Sequence, residues 1–298
     1  MRFGIMAMQL GALIPSGLSS EEMHDYVGTF DHEALVRALN RQGFSLIELG
    51  GDLAAFMPQT FKPSQIAALQ ALKSELGLQY TVHLPLWSIE LSTPQRYIRE
   101  GSVRTISDAI KATLPLEPEV FVLHATGALA AEFSAMALPP VGKTLILRQF
   151  QQAAMQSLQM ILSTTDLESR CLAIETVEFP LDMTLEMADA LDLSICFDVG
   201  HVLSGFSGNY GLSEAFAHCA GRLAEIHLHD ADLPKTAGAV VYGRDHRPLG
   251  TGDLDVGGFL DEVVAVGFNG PVIFELKVEE AQASLDVVQR TRPALISS

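Results

Sequence analysis

The chain has 298 residues, of which 48% are hydrophobic; its formal net charge is −17 at pH 7, and its pI is about 4.8. This length suits one large α/β barrel, and the apolar fraction is enough for a substantial core. Nucleic-acid affinity comes largely from Lys and Arg side chains that neutralise phosphates, so the negative charge argues against broad contact with DNA or RNA. The expected partner is a small-molecule substrate.

The three cysteines, Cys171, Cys196 and Cys219, have no CxxC spacing. We expect reduced core thiols in a cytoplasmic protein. We interpret the apolar N-terminus as a first strand and not as a signal peptide, because it lacks a clear A-x-A-like cleavage site. No segment approaches the roughly 20 apolar residues of a membrane span, so no membrane partner is expected.

Short apolar runs alternate with longer amphipathic stretches, as expected for parallel strands buried on both faces and separated by helices. The predicted strands are Arg2–Met8, Ser45–Leu49, Gln79–His83, Val120–His124, Leu172–Glu175, Ser194–Asp198, Leu223–His227 and Pro271–Glu275. The predicted helices are Asp31–Arg41, Lys62–Leu76, Gln95–Thr113, Lys143–Ser163, Leu181–Leu191, Leu212–Ala220, Val256–Val266 and, approximately, Val278–Thr291. Strict alternation over eight units predicts one closed (β/α)8 TIM barrel that occupies residues 1–298 as a single domain.

Two predicted loops are long and rich in Leu, Ala, Met, Gly and Pro: the loop from Met8 to Phe30 and the loop from His124 to Gly142. At the catalytic face they would form a lid over a bulky, partly apolar ligand. The alternative is that they pack on the barrel rim or against a second copy of the chain in a homo-oligomer. Before the third helix, Thr93-Pro94 is a start signal.

Nine potential metal ligands lie at or just after the ends of six predicted strands. They are His83, His124, Glu175, Asp198, His201, His227, Asp245, His246 and Glu275. Such residues converge only if the sheet closes, and active sites of these barrels lie at the carboxyl ends of the strands. A mixed set this large could hold two or three divalent ions, with Zn, Mn or Fe favoured.

The strand-end histidines and glutamates differ in how strongly they point to metal. A lone histidine such as His83 in TVHLP is more often a hydrogen-bonded structural group, but His124 in FVLHATG repeats the arrangement on the next strand. Glu175 in LAIET and Glu275 in VIFEL each end an apolar run, where a carboxylate is costly unless it is paired or bound to a cation. The segment ETVEFP offers Glu175 no basic partner.

The motif CFDVGH places Asp198 and His201 across a glycine turn, where they could face two neighbouring metal ions. A helix N-cap is the alternative for Asp198. In IHLHD, alternation puts His227 and His229 on the same side of the strand. His227 is the expected ligand, whereas His229 or Asp230 would orient a ligand imidazole, and His229 is also a candidate for substrate binding.

The loop GRDHRPLGTGDLD follows the seventh predicted strand. Asp245 and His246 would supply further ligands. Arg244 and Arg247 are candidates for binding phosphate oxygens of the substrate. A solvated polar loop is the alternative for the two arginines.

Together these motifs resemble the xylose-isomerase-like barrel superfamily, which includes endonuclease IV and many sugar isomerases and epimerases. The resemblance implies that Glu175, Asp198, His227 and Glu275 hold a metal ion. The endonuclease IV branch adds histidines that match His83, His124, His201 and His246. That branch has D-R-H where this chain has RDH: Arg244 stands at the family aspartate and Asp245 follows one place later.

A closer resemblance is to the cobamide-remodelling phosphodiesterases of the same superfamily. It rests on Tyr80–Leu86 together with LEPEVFVLH, AIETVEFP, SICFDVGH, IHLH and GRDH. It implies metal-dependent hydrolysis of the nucleotide-loop phosphodiester of a cobamide, with Glu175, Asp198 and Glu275 as catalytic residues and Glu175 as a bridging ligand. Metal ions would then activate a water and stabilise the leaving oxygen.

Three other functions are considered. A single-metal sugar isomerase or epimerase would use Glu175 and Glu275 to shuttle a proton, but one metal needs only about four protein ligands. An endonuclease acting on abasic DNA is opposed by the net charge of −17. A corrinoid-binding protein with a histidine axial ligand would not explain so many carboxylates at one face.

Overall fold

The structure is a computed structural model, and it describes residues 1–6, 19–236 and 239–296. Within these residues, eight parallel strands close into a barrel in chain order, from β1 to β8 and back to β1. Helices surround the strands, which confirms the predicted TIM barrel.

The strands are β1 Arg2–Ile5, β2 Leu46–Gly50, β3 Gln79–His83, β4 Phe121–Leu123, β5 Leu172–Glu175, β6 Ser194–Asp198, β7 Leu223–His227 and β8 Pro271–Phe274. The helices are α1 Ser20–Gly28, α2 His32–Arg41, α3 Leu53–Phe56, α4 Pro63–Leu76, α5 Arg96–Thr113, α6 Ala128–Ala135, α7 Pro140–Thr165, α8 Leu181–Leu191, α9 Val199–Leu203, α10 Leu212–Cys219, α11 Val256–Ala265 and α12 Val278–Thr291.

The two long predicted loops contain helices that the sequence analysis missed. Ser19 begins α1 with a capping box in which its side chain and that of Glu22 bond each other's backbone N–H. The second loop contains α6, whose sequence ALAAEFSA is rich in good helix formers. The residues of the first loop from 7 to 18, including Met8 at the predicted end of β1, lie outside the described part of the chain.

Other boundaries move by a few residues. Helix α7 begins at Pro140, three residues before the predicted Lys143, because proline is favoured in a first helical turn. Helix α5 begins at Arg96 with Gln95 as its N-cap, so Thr93-Pro94 precedes the helix instead of starting it. His124 and Glu275 lie one residue beyond the ends of β4 and β8.

Alternation along each strand separates an outer core from the barrel interior. The largest buried cluster joins strand residues such as Ile174 and Phe197 to the helices. Ala173 and Cys196, two residues before Glu175 and Asp198, share the interior face with them and belong to a separate buried cluster. The interior is therefore apolar in part and becomes rich in charged groups toward the carboxyl ends of the strands.

The strand register brings the strand-end residues side by side. Asp198 of β6 lies opposite His227 of β7, and Glu175 of β5 lies opposite Cys196 of β6. The register shifts between Ile195 and Cys196 in the pairing of β6 with β7. Because the barrel is closed, side chains from β3 to β8 can converge at one end.

Among the described residues, no helix is both long enough and apolar enough to cross a membrane.

Candidate metal centre

Glu175, the last residue of β5, lies at the middle of a buried polar cluster and is 1% exposed. Its Oε2 atom is 3.1 Å from Nε2 of His83 and 3.0 Å from Nε2 of His124. Its Oε1 atom is 3.2 Å from Nδ1 of His201 and 3.6 Å from Nδ1 of His227. The two oxygens thus face different pairs of imidazoles, which is the arrangement that a bridging carboxylate needs.

Asp198 both caps a helix and belongs to the cluster. Its Oδ1 atom accepts a hydrogen bond from the backbone N–H of His201 at 2.6 Å, which starts α9. Its Oδ2 atom is 2.9 Å from Nε2 of His229 and 3.7 Å from Nδ1 of His227. The N-cap role and the site role, which the sequence presented as alternatives, are filled by different oxygens.

Glu275 closes the cluster on the side of β8. Its Oε1 atom is 3.4 Å from Nδ1 of His227, and its Oε2 atom is 3.1 Å from Nε2 of His246. Glu275 Oε1 and His227 Nδ1 are buried and have no hydrogen-bond partner among the described residues. Buried polar atoms left unpaired are costly, so these two atoms fit a site that receives a cation.

The potential ligand atoms form three groups that could each hold a metal ion. The first is His83, His124 and Glu175; the second is Glu175, Asp198, His227 and Glu275; the third is Asp198, His201, His229 and His246. Glu175 joins the first two groups and Asp198 joins the last two. Nitrogen and carboxylate donors in such sets are typical of Zn, Mn or Fe sites.

Outer hydrogen bonds set the orientation of several rings. His83 Nδ1 is 2.9 Å from the carbonyl oxygen of Leu84, so this nitrogen keeps its proton, and Nε2, which faces Glu175, is the nitrogen that would offer a lone pair to a metal ion. His246 Nδ1 is 3.0 Å from Oδ2 of Asp245, while its Nε2 faces Glu275. Asp245 also lies 3.7 Å from His201, but it belongs to none of the three groups.

His229 is placed differently from the substrate contact predicted for it. The side chain is fully buried, its Nδ1 accepts the backbone N–H of His246 at 3.0 Å, and its Nε2 faces Asp198. Because Nδ1 is the acceptor, Nε2 must carry the proton that is donated to Asp198. With both nitrogens engaged by protein, His229 is arranged to orient Asp198 rather than to touch substrate.

Gly200 makes room for this contact. A Cβ atom at Gly200 would overlap with the imidazole of His229. The glycine of CFDVGH is thus required because the His229 side chain, just after β7, packs against it. This contact between distant parts of the chain is not visible in the sequence.

The two arginines of the GRDHR loop are paired within the loop. Arg244 donates to Asp232 at 2.6 Å, and Arg247 contacts the same carboxylate and the carbonyl oxygen of Thr251. Both guanidinium groups therefore hold the loop in this structure, and phosphate binding would require them to exchange these partners.

Asp230 anchors this loop beneath the site. Its buried carboxylate accepts hydrogen bonds from the backbone N–H groups of Ala231, Gly250, Thr251, Gly252 and Leu254. The same loop carries His246 with a backbone φ of 51°, a left-handed conformation that is uncommon outside glycine. Tertiary hydrogen bonds of this kind hold His246 against Glu275.

The electrostatics favour the ionised forms of Glu175 and Glu275. Burial alone would raise the pKa of Glu175, but the neighbouring His124 and His227 lower it well below its ordinary value. Burial likewise opposes ionisation of Glu275, yet His227 and His246 lower its pKa to about 2. Both carboxylates are therefore ionised at neutral pH and can act as anionic ligands.

Two cavities lie beside the cluster. One, of about 320 Å³, reaches His124 and His201 and is lined also by Trp87, Val177 and Phe206. The other, of about 520 Å³, shares Phe206 with the first and adds Tyr242, whose ring lies 5.5 Å from that of Phe206. Helix α6 borders both cavities through Ala131.

The sequence analysis missed two acidic residues of the barrel interior, Glu48 of β2 and Glu225 of β7. Both are buried, and with His227 they form a fourth group able to hold a cation. The available signal was a single acidic residue inside each of the apolar segments LIELG and LAEIH.

The chain belongs to the xylose isomerase-like TIM barrel family, whose profile matches residues 36–293. A curated relative, the uncharacterized protein MJ1311 of Methanocaldococcus jannaschii, is 23% identical over 231 residues, which cover 76% of this chain and 74% of that protein.

Solved structures with a similar fold include sugar epimerases and a nuclease. A D-tagatose 3-epimerase-like protein has a TM-score of 0.70 at 18% identity and covers 100% of this chain and 99% of its own. Endonuclease IV from Thermus thermophilus has a TM-score of 0.62 at 16% identity, with both chains covered completely at 100%. At these identities the likeness concerns the fold.

Proposed function

We propose that the protein is a metal-dependent phosphodiesterase that hydrolyses the nucleotide-loop phosphodiester of a cobamide. The observation that carries the proposal is the sharing of Glu175 and Asp198 among three adjacent ligand groups. A single-metal enzyme needs about four ligands, whereas linked groups suit two or three ions placed around one phosphate.

The residues that would hold the ions are those of the three groups described above, except His229, whose two nitrogens bond to Asp198 and to the backbone of His246. When bound, divalent ions stabilise the charge of a phosphoryl group and of its leaving oxygen, and they make a water more acidic. Glu175 contributes one oxygen to each of two groups, Asp198 is oriented by His229, and His83 presents Nε2 because Leu84 holds its Nδ1 proton. These contacts fix the ligand positions before substrate binds.

The cavities support a bulky small-molecule substrate. The smaller one adjoins His124 and His201, and the two together are lined by the aromatic side chains Trp87, Phe206 and Tyr242. Such walls suit flat, partly apolar groups on either side of a phosphate. The choice of a cobamide among such molecules rests on the sequence motifs that resemble the cobamide-remodelling phosphodiesterases.

A sugar epimerase or isomerase is the second candidate. The group of Glu175, Asp198, His227 and Glu275 is complete on its own as a single-metal site. Its two glutamates lie on β5 and next to β8, so they approach the centre from separate strands, as a pair of proton-transfer groups would. This candidate leaves His83, His124, His201 and His246 without a role in metal binding.

Metal counting and a substrate panel separate these functions. The protein is reconstituted with Zn, Mn or Fe, its ions are counted by elemental analysis, and it is incubated separately with a cobamide, abasic-site DNA and a ketose panel. We expect at least two ions per chain and release of the lower-ligand nucleoside part from the cobamide. One ion with ketose interconversion would establish the epimerase instead, and nicking of abasic DNA would establish the nuclease.

A further inference from the structure

Two glutamates lie in the barrel interior on the far side of His227 from the metal centre. Glu48 of β2 is 2% exposed and Glu225 of β7 is fully buried. The ion pairs found for these two carboxylates in the described part of the chain are with His227 alone. Buried carboxylates without Lys or Arg are costly, so their retention calls for a partner.

His227 stands between these glutamates and the predicted metal ligands. Its Nδ1 atom lies 3.4 to 3.7 Å from Glu275, Glu175 and Asp198. Its Nε2 atom lies 3.3 Å from Oε2 of Glu48 and 3.7 Å from Oε1 of Glu225. An imidazole that offers one nitrogen to a metal ion carries its proton on the other, and that proton needs an acceptor.

The two glutamates differ in what already binds them. Glu225 accepts a hydrogen bond from the hydroxyl of Thr81 at 3.2 Å. Both carboxylate oxygens of Glu48 are buried without a hydrogen-bond partner among the described residues, and the same is true of His227 Nε2. Glu225 Oε2 is likewise buried without a partner among the described residues, but Glu48 lies closer to His227 Nε2, at 3.3 Å against 3.7 Å, and neither of its oxygens is engaged. Glu48 is therefore the favoured acceptor.

We propose that Glu48 is a positioning residue that accepts the Nε2 proton of His227 and so directs the Nδ1 lone pair toward the ion held with Glu175, Asp198 and Glu275. The inference rests on the metal-binding part of the proposed function and not on the phosphodiesterase activity. The Glu48 side chain reaches His227 across the interior of the closed barrel. Its strand, β2, is separated from β7 by β8 and β1.

The test compares three side chains at position 48 by metal affinity. Affinity for Zn is measured by competition with a chromophoric chelator, and the Co-substituted protein is examined by visible absorption. Glu48→Leu, which removes the acceptor at similar volume, should weaken binding at the four-ligand group about 10- to 100-fold. Glu48→Gln keeps a neutral acceptor and should recover most of the affinity.

Glu225→Gln is the matched control, because that glutamate is bonded to Thr81; we expect its affinity to stay within about threefold of wild type, a difference below about 1 kcal/mol. In a His227→Ala background, Glu48→Leu should cause no further loss, since the group it positions is gone. Circular dichroism of the ion-free variants checks that each one folds. If Glu48→Leu does not fold, Glu48→Ala, which also lacks an acceptor, replaces it in the comparison.

Several outcomes would overturn the assignment. Equal affinities and equal Co spectra for wild type and Glu48→Leu would show that Glu48 does not act on His227. Loss of an additional ion with unchanged binding at the four-ligand group would make Glu48 a ligand itself. Absence of any ion from wild type would reject the proposed function as well, whereas an inactive enzyme with the expected Glu48 effect would reject the phosphodiesterase alone.

Discussion

Glu175 has an environment that a purely structural carboxylate would not need. It is buried at the end of an apolar strand and lies within 3.6 Å of four imidazoles, with no Lys or Arg among its described ion-pair partners. Removing one partner of a buried charged cluster leaves the others uncompensated. The residue therefore makes the sharpest single test of the site.

Glu175→Gln should abolish bridging because an amide offers one neutral oxygen in place of two charged ones. We expect at least one ion fewer per chain and a fall in turnover of about 100-fold or more. This magnitude is the upper end of the losses caused by substitutions around metal sites. The fold should survive, since the volume is nearly unchanged. Elemental analysis, turnover and circular dichroism measure these effects, and Glu168→Gln, outside the ligand groups, serves as the control. Full metal content in Glu175→Gln would contradict the bridging assignment.

Asp230 shows how one residue shapes an entire loop. Four of its five backbone hydrogen bonds fold residues 250–254 around the carboxylate, and the fifth comes from Ala231. Gly252 approaches so closely that a Cβ would overlap with the carboxylate. The isolated bridge between Asp230 and Arg247 ties the other side of the loop to the segment that follows β7. The loop that carries His246 is thus held from below by a single buried anion.

Asp230→Asn should destabilise the protein because the new NH₂ group faces backbone N–H donors. We expect the free energy of unfolding to fall by about 3 kcal/mol, because hydrogen bonds to a charged acceptor are lost and their buried N–H donors are left unpaired. That loss lowers the melting temperature by roughly 6–12 °C. Thermal unfolding of the ion-free protein measures it. Asp253→Asn is the control, because that carboxylate accepts one backbone N–H, from Leu233. Equal shifts for the two variants would remove the special role of Asp230.

His32 gives helix α2 a pH-dependent stability. It occupies the first position of the helix, is buried, and packs against the rings of Phe30 and Phe61. Burial lowers the pKa of His32 from 6.5 to about 4. As pH falls from 6.5 to 4, the unfolded chain takes up a proton that the folded protein does not, so the folded state loses stability in this window.

His32→Phe should remove this contribution while keeping an aromatic ring between its neighbours. Between pH 7 and pH 4, wild type should lose about 3 kcal/mol more unfolding free energy than the variant does. Urea unfolding at both pH values provides the comparison, and other titrating groups cancel in the difference. Parallel pH profiles for the two proteins would show that His32 is hydrated or protonated in the fold.

The whole cluster couples metal binding to protons. Burial lowers the pKa of His83 and of His201, but the adjacent carboxylates outweigh it and raise each to about 9 in the ion-free protein. A metal ligand must be a neutral imidazole, so binding at neutral pH expels these protons. Affinity should rise with pH up to about 9.

Chelator competition at three pH values, one mildly acidic, one neutral and one mildly basic, tests this coupling. For each ring that loses a proton, affinity should increase up to about tenfold per pH unit, and bound ions should raise the melting temperature by mass action. His32→Phe, which changes a histidine outside the ligand groups, should show the wild-type slope. An affinity independent of pH would mean that the rings are already neutral before the ion binds.

Local sequence patterns were enough to predict the eight-unit barrel and the chemical type of its carboxyl-end residues. Apolar runs of strand length define the strands, and period-two alternation assigns each residue to one face. The nine predicted ligands, from His83 to Glu275, lie at the carboxyl ends of the strands for this reason. Eight of them fall into the three ligand groups, and Asp245 instead lies beside His246.

Contacts between residues distant in sequence were decided by barrel closure and strand register. His229 is directed to Asp198, Arg244 and Arg247 share Asp232, and Glu48 reaches His227 across two intervening strands. Alternation gives the face of a residue but not its neighbour on that face. The neighbour depends on how far each strand is displaced along the next, which is a property of the closed sheet and not of any segment within it.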